Sequence, residues 1–307
     1  MDVLTVATRG GALAVAQTRI VIAALEKIYP DIRIKVRTIT TKGDRDRYTA
    51  LWDLKTTGFF TSQLEDALLA EEADFAVHSF KDLPTSQREG LAIAAVCDRQ
   101  FPEDCLLAAG SIGSIRLLPE SAKIGTSSLR RAAQLVHLRN DLKPTPLRGN
   151  VPTRIRNLDT GKVDAIILAR AGVERLGLAE KISFSFDPEQ FIPAPAQGAL
   201  AVQTRADDIE MNKLLKVIDD EKARLITLAE RQILVTMQCG CHAPVGAFAK
   251  ITGRDMEIHA FISNVDGSNF IKRRITGPAE KAVALAEQLA KDLLAAGGRQ
   301  ILDSLEK

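Results

Sequence analysis

Six arginines stand where the chain is expected to turn, at the ends of predicted strands or near the starts of predicted helices. Arg9 follows one apolar run that is typical of a strand, and Arg148 follows another. A guanidinium is a planar pair of donors that matches a carboxylate, so the pattern predicts a ligand with several carboxylates. The alternative is that each arginine is a solvated surface residue. The six are Arg9, Arg130, Arg131, Arg148, Arg154 and Arg175.

A predicted helix start adds to this pattern. Thr126, Ser127 and Ser128 are favourable N-cap residues for the helix that carries Arg130 and Arg131. The N-terminus of a helix presents free N–H groups and the positive end of a dipole to an anion. In open α/β sheets, ligands bind at the carboxyl ends of the strands, where such helix starts lie.

The segment from His78 to Pro84 follows a predicted buried strand and contains an acid. Asp82 comes just before a Leu-Pro turn. A carboxylate fixed at the end of a strand can stabilise a developing cation or accept a proton. The local sequence alone favours a turn-forming aspartate beside Lys81, and it favours a hydrogen-bonded core residue at His78.

Two of the four cysteines, Cys239 and Cys241, flank a glycine after a long predicted helix. No second cysteine pair and no spaced histidine pair completes a tetrahedral site, so we predict no metal. A thiol on such a loop can act as a nucleophile or an attachment point if its thiolate is stabilised. The alternative, an inert thiol, is what we expect of Cys97 and Cys105.

Alternating strand and helix patterns predict two α/β lobes joined by a hinge, similar to the lobes of periplasmic binding proteins. Residues 3–7 form a strand pattern, residues 13–28 a helical one that Pro30 stops, and residues 32–38 a second strand pattern. Ser62 and Glu65 have the spacing of a capping box. The pattern restarts near residue 123, and a strand near residues 199–203 returns to the first lobe.

After about residue 220 the pattern changes to a long helix, three alternating strands and a final amphipathic helix, which predicts a small α+β domain. We therefore expect three domains. They are residues 1–98 with 199–217, residues 104–193, and residues 221–307, which include the cysteine loop.

The composition excludes several protein classes. The 307 residues include 41 Lys and Arg against 39 Asp and Glu, a balance too neutral for a nucleic-acid-binding protein. No apolar run approaches the roughly 18 residues of a membrane span. The N-terminus lacks the pattern of a signal peptide, so we expect a cytoplasmic protein.

Together these segments resemble the porphobilinogen deaminase family, in that family's order and with near-family spacing from residue 5 to about 250. The most specific motifs are HSFKDLP at 78–84, GTSSLRR at 125–131 and LRGN at 147–150. The others are ATR at 7–9, TKGD at 41–44, TR at 153–154, RLG at 175–177, PAQG at 195–198 and GCHAPVG at 240–246.

The resemblance implies a monomeric enzyme that joins four porphobilinogens head to tail, releases ammonia each time and frees hydroxymethylbilane by hydrolysis. A dipyrromethane cofactor would be thioether-linked to Cys241, and Asp82 would be catalytic. The implied cofactor-binding residues are Lys81, Thr126, Ser127, Ser128, Arg130, Arg131, Arg148 and Gly149. The implied substrate-binding residues are Arg9, Arg148, Arg154, Arg175 and Gln197.

The chain also departs from the family pattern. Gly11 stands where the family usually has serine, Cys239 where it usually has glycine, and Pro152 where it usually has glycine. The segment 52–60, expected to act as a lid, lacks the usual lysines. Two rival hypotheses remain at this point: a non-catalytic anion receptor with the same lobes, and a thiol redox protein that uses Cys239 and Cys241.

Overall fold

The computed structural model of the chain describes residues 3–41, 61–110, 112–240 and 243–305. These residues form two units. The first comprises residues 3–41, 61–100 and 198–225, and the second comprises residues 101–110, 112–197, 226–240 and 243–305. The chain passes from one unit to the other at residues 100–101, 197–198 and 225–226.

The strands of the described residues are β1 (Leu4–Arg9), β2 (Ile34–Ile39), β3 (Phe75–Ser79), β4 (Leu91–Cys97), β5 (Asp104–Ala108), β6 (Lys123–Gly125), β7 (Lys143–Thr145), β8 (Ala165–Ala169), β9 (Phe184–Ser185), β10 (Leu200–Arg205), β11 (Val245–Thr252), β12 (Asp255–Ile262) and β13 (Ile271–Pro278). The α-helices are α1 (Ala12–Ile28), α2 (Ser62–Leu69), α3 (Leu129–Leu138), α4 (Val151–Asp159), α5 (Arg170–Glu174), α6 (Ile209–Lys216), α7 (Glu221–Met237), α8 (Ala282–Leu293) and α9 (Arg299–Leu305).

The first unit is built on a five-stranded sheet in the order β2-β1-β3-β10-β4. β1 pairs in parallel with β2 and β3, whereas β10 is antiparallel to both of its neighbours. Val21 and Leu25 of α1 pack into the core on one face, and Leu64 and Leu68 of α2 pack into the core on the other. Burial of both faces explains why the central strands read as nearly continuous apolar runs.

The second unit contains a sheet with the equivalent strand order, β7-β6-β8-β5-β9. Here β6 pairs in parallel with β7 and β8, and β5 is antiparallel to β8 and β9. In each sheet the antiparallel strand next to the parallel trio is the one that follows a passage between the units. The predicted pair of α/β lobes is confirmed, although β5 and β9 were not predicted.

The second unit also holds the C-terminal sheet, in which β11, β12 and β13 are antiparallel neighbours. The predicted small α+β region is confirmed. A Cβ added to Gly246 would lie 2.8 Å from the Ile192 carbonyl oxygen and 2.6 Å from the Phe261 ring, so only glycine allows this close approach. The division into three separate domains stays a prediction.

One predicted helix start is wrong. α2 begins at Ser62 with Thr61 as its N-cap residue, and no side chain caps it. Glu65 instead is buried and accepts a hydrogen bond from Gln203 Nε2 at 3.2 Å. A tertiary partner on β10 therefore takes the carboxylate that the capping-box pattern assigned to the local backbone.

None of the helices in the described part of the chain combines the length and the apolar character needed to cross a membrane.

Candidate active site

One edge of the first unit's sheet carries Arg9, Lys81 and Asp82. β1 and β3 are parallel neighbours, so their carboxyl ends lie at the same edge. Arg9 ends β1, and Lys81 and Asp82 belong to the 3₁₀ turn that directly follows β3. The turn is anchored by Phe80, whose ring is buried and whose N–H donates to the Ala199 carbonyl at 3.0 Å. The carboxylate of Asp82 is exposed at this edge.

The buried amide side chain of Gln17 holds the end of β3 at this edge. Gln17 on α1 is 4% exposed, and its Nε2 donates to Ser79 Oγ at 2.8 Å. The Ser79 hydroxyl lies 3.1 Å from Gln17 Oε1, so the two side chains bridge α1 and the end of β3. Sequence reasoning did not single out Gln17; its signal is a polar residue on the buried face of an otherwise apolar helix stripe.

His78 is a core residue, as the local sequence favoured. It is 6% exposed, and its Nε2 has no hydrogen-bond partner among the described residues. Burial, reinforced by the positive charge of Arg9 and opposed by Gln203, lowers the pKa of His78 to about 4. The imidazole is therefore neutral at pH 7.

In the second unit, two loops open at one edge of the sheet because β6 and β7 are parallel neighbours. Ser127 joins them: its hydroxyl donates to the Leu147 carbonyl at 2.8 Å, and the Leu147 N–H lies 3.0 Å from the same oxygen. Ser128 caps α3, and Asn150 caps α4 by accepting from the Thr153 N–H at 3.0 Å. Two helix N-termini thus face the same edge.

These contacts assign structural tasks to hydroxyls that the resemblance gave to the cofactor. Thr126 and Ser127 are buried, and Thr126 Oγ1 accepts from the Ser128 N–H at 3.2 Å. Cofactor contacts from Thr126, Ser127 and Ser128 stay a prediction.

Arg130 and Arg131 are buried and share one carboxylate, Asp104, which sequence reasoning missed. Asp104 accepts from Arg130 Nη2 at 2.7 Å and from Arg131 Nη2 at 2.7 Å. Arg131 Nε also donates to Asp104, at 3.1 Å. Two backbone carbonyls accept from the other ends of the guanidiniums: Arg130 Nη1 donates to Ile192 at 2.7 Å and Arg131 Nη1 to Ile167 at 3.2 Å.

Gln197 belongs to the same buried network. It is 1% exposed, and its Nε2 donates to Asp104 Oδ1 at 3.0 Å and to the Pro102 carbonyl at 2.8 Å. The two donors of the amide are thereby used inside the protein. These hydrogen bonds do not support the predicted contact between Gln197 and substrate, which stays a prediction.

Arg154 lies close enough to Arg131 and Arg148 for their charges to act on it. Burial, and then the nearby charges of Arg131 and Arg148, lower the pKa of Arg154 to about 10, which leaves it protonated at pH 7. Like charges held together in this way favour an anionic ligand. We call Arg131, Arg148 and Arg154 the cationic group.

Gly149 shapes the loop that carries Arg148. Its φ is +105°, in the region that favours glycine, and an added Cβ would lie 2.8 Å from Thr153 Cγ2. The Gly149 carbonyl also accepts from Arg154 Nε at 2.8 Å. The resemblance assigned Gly149 to the cofactor, which stays a prediction, while the hydrogen bond to Arg154 comes from the fold.

The other candidates lie as follows. Arg175 is half-buried at the C-terminal end of α5. Cys97 and Cys105 are buried, and burial raises the pKa of the Cys105 thiol to about 12, so both are the inert thiols expected. Cys239 is half-buried, while Cys241 and the segment 52–60 lie outside the described residues.

The surface alternative is wrong for Arg130 and Arg131, and it stays open for the other four arginines. Arg130 and Arg131 are buried, and the other four are half-buried rather than exposed.

One group of side chains outside this edge has the composition of a metal site. Glu189, Glu257 and His259 offer ligand atoms within 4.8 Å of one another. Lys250 on β11 pairs with Glu189 and lies 3.1 Å from Glu257, and Arg274 lies 3.5 Å from Glu257, so two cations already compensate the two carboxylates. The group is best described as an ion-pair cluster.

Two protein-family models match the chain. The porphobilinogen deaminase dipyromethane cofactor binding domain matches residues 4–213, and the porphobilinogen deaminase C-terminal domain matches residues 224–295. A porphobilinogen deaminase from Desulforudis audaxviator is 42% identical over 299 residues, with 97% of this chain and 96% of that protein covered. One from Desulforamulus reducens is 41% identical over 302 residues, with 98% and 97% covered.

Among solved structures, a nutrient binding protein from Burkholderia cenocepacia bound to methionine is 16% identical, with a TM-score of 0.44 and with 72% of this chain and 93% of that chain covered. A likeness this distant carries no argument about function.

Proposed function

This chain belongs to the porphobilinogen deaminase family, and we propose that it joins four porphobilinogens into hydroxymethylbilane with release of ammonia, using the residues described above. It is a transferase of tetrapyrrole biosynthesis that works with a dipyrromethane cofactor. The observation that carries the assignment of residues is the cationic group of Arg131, Arg148 and Arg154.

The residues present fit a polycarboxylate. Each porphobilinogen carries two carboxylates, so both the cofactor and the growing chain are polyanions. The repulsion at Arg154 is relieved when a carboxylate enters, and the N-termini of α3 and α4 at the same edge attract it further. In this proposal the cationic group and Arg9, Arg130 and Arg175 hold the acidic arms and thereby fix the positions of the rings.

Asp82 is the proposed catalytic residue. Departure of ammonia leaves positive charge on the pyrrole of the incoming substrate, and a fixed carboxylate lowers the energy of that charge. The exposed position of Asp82 on an anchored turn supports this role, since the carboxylate is accessible to a ligand and its backbone is held by the turn. Lys81, next to it, would hold a carboxylate of the cofactor.

Cys241 is the proposed attachment point. The cofactor, when bound there, would supply the pyrrole carbon to which the first substrate is joined, and each added ring would supply that carbon for the next. Tethering by a thioether would keep the growing chain at a high effective concentration for each addition. Cys239, which takes the place of a glycine, is proposed to remain an idle thiol.

We further propose that the protein is a cytoplasmic monomer with three domains, that residues 52–60 act as a lid, and that it binds neither nucleic acid nor membrane. The near balance of 41 basic and 39 acidic residues supports the absence of a nucleic-acid partner.

Intact mass spectrometry of the purified protein tests the proposal. We expect a mass above that of the sequence by one dipyrromethane. Cys241→Ser should remove this increment, and the matched control Cys239→Ser should retain it. The same preparation should convert porphobilinogen to hydroxymethylbilane.

Each rival predicts a different outcome. An anion receptor would have the mass of its sequence and no turnover. A redox protein would show reversible two-electron oxidation that needs both cysteines. Active protein with nothing bonded to Cys241 would refute the proposed attachment.

A further inference from the structure

Asp104 is a charged residue in the interior of the second lobe. It is the first residue of β5, its exposure is 0%, and it pairs with Ala169 across the sheet. A carboxylate at such a position is strongly disfavoured unless it is paired and hydrogen-bonded. Its partners therefore decide what it does.

The partners of Asp104 come from two distant segments. It accepts four hydrogen bonds between 2.7 and 3.1 Å: one from Arg130, two from Arg131 and one from Gln197. Oδ2 of Asp104 accepts from Arg130, while Oδ1 accepts from both Arg131 and Gln197. Arg131 donates to Asp104 through Nε and Nη2, which lie along one edge of its planar guanidinium.

The charges of this network do not cancel. One carboxylate faces two guanidiniums, so one positive charge remains in excess. Burial alone would raise the pKa of Asp104, but the charges of Arg130 and Arg131 outweigh it and hold the pKa below its usual range. Asp104 is thus ionised. The charge of Arg131 adds to the effect of burial in lowering the pKa of Arg154.

One N–H nitrogen of the two guanidiniums is not used in a hydrogen bond within the described residues. Arg130 Nε is buried and has no hydrogen-bond partner among the described residues. Arg131 has its Nε edge turned to Asp104, so its orientation is set by that carboxylate.

We propose that Asp104 is a positioning residue that orients Arg131, and with it the cationic group, to receive the carboxylates of the cofactor and substrate. This inference rests on the proposed function and deepens it, since it names the residue that holds the binding arginines in place. Asp104 itself touches no ligand and acts only through Arg130 and Arg131.

A purely structural role would be to neutralise two buried cations. Asp104→Glu separates the two roles, because it keeps the negative charge but moves the carboxylate by about one C–C bond. Asp104→Asn keeps the shape but removes the charge. Asp141→Asn is the matched control, because Asp141 also pairs with an arginine of the second unit, Arg139, outside the proposed site.

Thermal unfolding, cofactor loading by intact mass, and the steady-state kinetics of the loaded fraction are measured for each variant. For Asp104→Glu we expect a folded protein whose KM for porphobilinogen rises about tenfold or more, equivalent to about 1.4 kcal/mol of binding, with kcat changed much less. We expect Asp104→Asn to lose thermal stability as well, because it strands two buried cations. Asp141→Asn should match the wild type in loading and KM.

An unchanged KM and normal loading in Asp104→Glu would overturn the proposal, because charge compensation would then be the whole role of the residue. If neither Asp104 variant folds, the residue serves folding, and the proposal is also overturned.

Failure of the proposed function gives a different result. Wild-type protein that does not consume porphobilinogen refutes that function, and the role of Asp104 is then tested by titrating citrate, a tricarboxylate probe, into the same variants by calorimetry. A tenfold weaker affinity in Asp104→Glu supports the positioning role, and equal affinities refute it.

Discussion

The loop between β7 and α4 offers a sharp test of how backbone shape controls the cationic group. Gly149 has φ +105°, and its carbonyl accepts from Arg154 Nε at 2.8 Å. Gly149→Ala places a Cβ 2.8 Å from Thr153 Cγ2 and 2.9 Å from Thr153 Cβ. The helix that follows holds Thr153 through its cap, so the loop rather than the helix should shift.

The magnitude follows from two contributions. A side chain in a sparsely populated backbone region costs about 1–3 kcal/mol, and overpacking adds about 1–3 kcal/mol. We expect the free energy of unfolding of the second unit to fall by about 3 kcal/mol, or roughly 6–12 °C in Tm. Because the loop carries Arg148 and the acceptor of Arg154, KM for porphobilinogen should rise about tenfold.

Gly161→Ala is the matched control, because Gly161 follows the other end of α4. Its φ is +69°, but an added Cβ meets nothing within 4 Å, so we expect a loss of only about 1 kcal/mol and an unchanged KM. Urea and thermal unfolding measure the stabilities, and initial rates measure KM. Equal effects of the two substitutions on stability and on KM would refute the reasoning.

Four further outcomes are expected. Asp82→Asn should lower kcat at least about 100-fold with unchanged urea unfolding; more than a tenth of wild-type activity would contradict its role. Gly11→Ser should raise the free energy of unfolding by a few tenths of a kcal/mol, because α1 has no side-chain cap and Gly11 has open space; no gain in urea unfolding would mean the hydroxyl does not cap. Glu230→Gln should cost about 2–3 kcal/mol in urea unfolding, because the buried carboxylate accepts from two backbone N–H groups, at 2.7 and 2.8 Å, and the amide keeps one acceptor; a loss below 0.5 kcal/mol is not compatible with this. The pKa of His78 is lowered to about 4 in the folded protein, because its imidazole is buried in the neutral form. The free energy of unfolding should therefore be highest above pH 6.5 and fall by on the order of 3 kcal/mol as the pH falls towards 4. His78→Gln should flatten this dependence of the urea midpoint on pH.

Much of the fold could be predicted from the sequence because its signals are local. The apolar spacing of α1, its end before Pro30, and the alternation of β11 and β12 are each set by neighbours within a few residues. Where a distant partner intervened, the prediction failed: Glu65 looked like half of a capping box, but Gln203 on β10 takes its carboxylate.

The candidate site divides in the same way. The sequence by itself determined which residues can bind acidic groups and which family the motifs resemble, because residue type and short spacing encode these properties. Arg130 and Arg131 are buried and the other four arginines are half-buried, while the ligand of each arginine, like the thioether at Cys241, stays a prediction.

Only the tertiary structure decided which cations are compensated and which are left in excess. Asp104 lies 26 and 27 residues from Arg130 and Arg131 and 93 residues from Gln197 along the chain, and no periodicity links them. Burial removes the water that would otherwise screen these charges, so a carboxylate that looks ordinary in the sequence becomes the fixed point to which the arginines are bound.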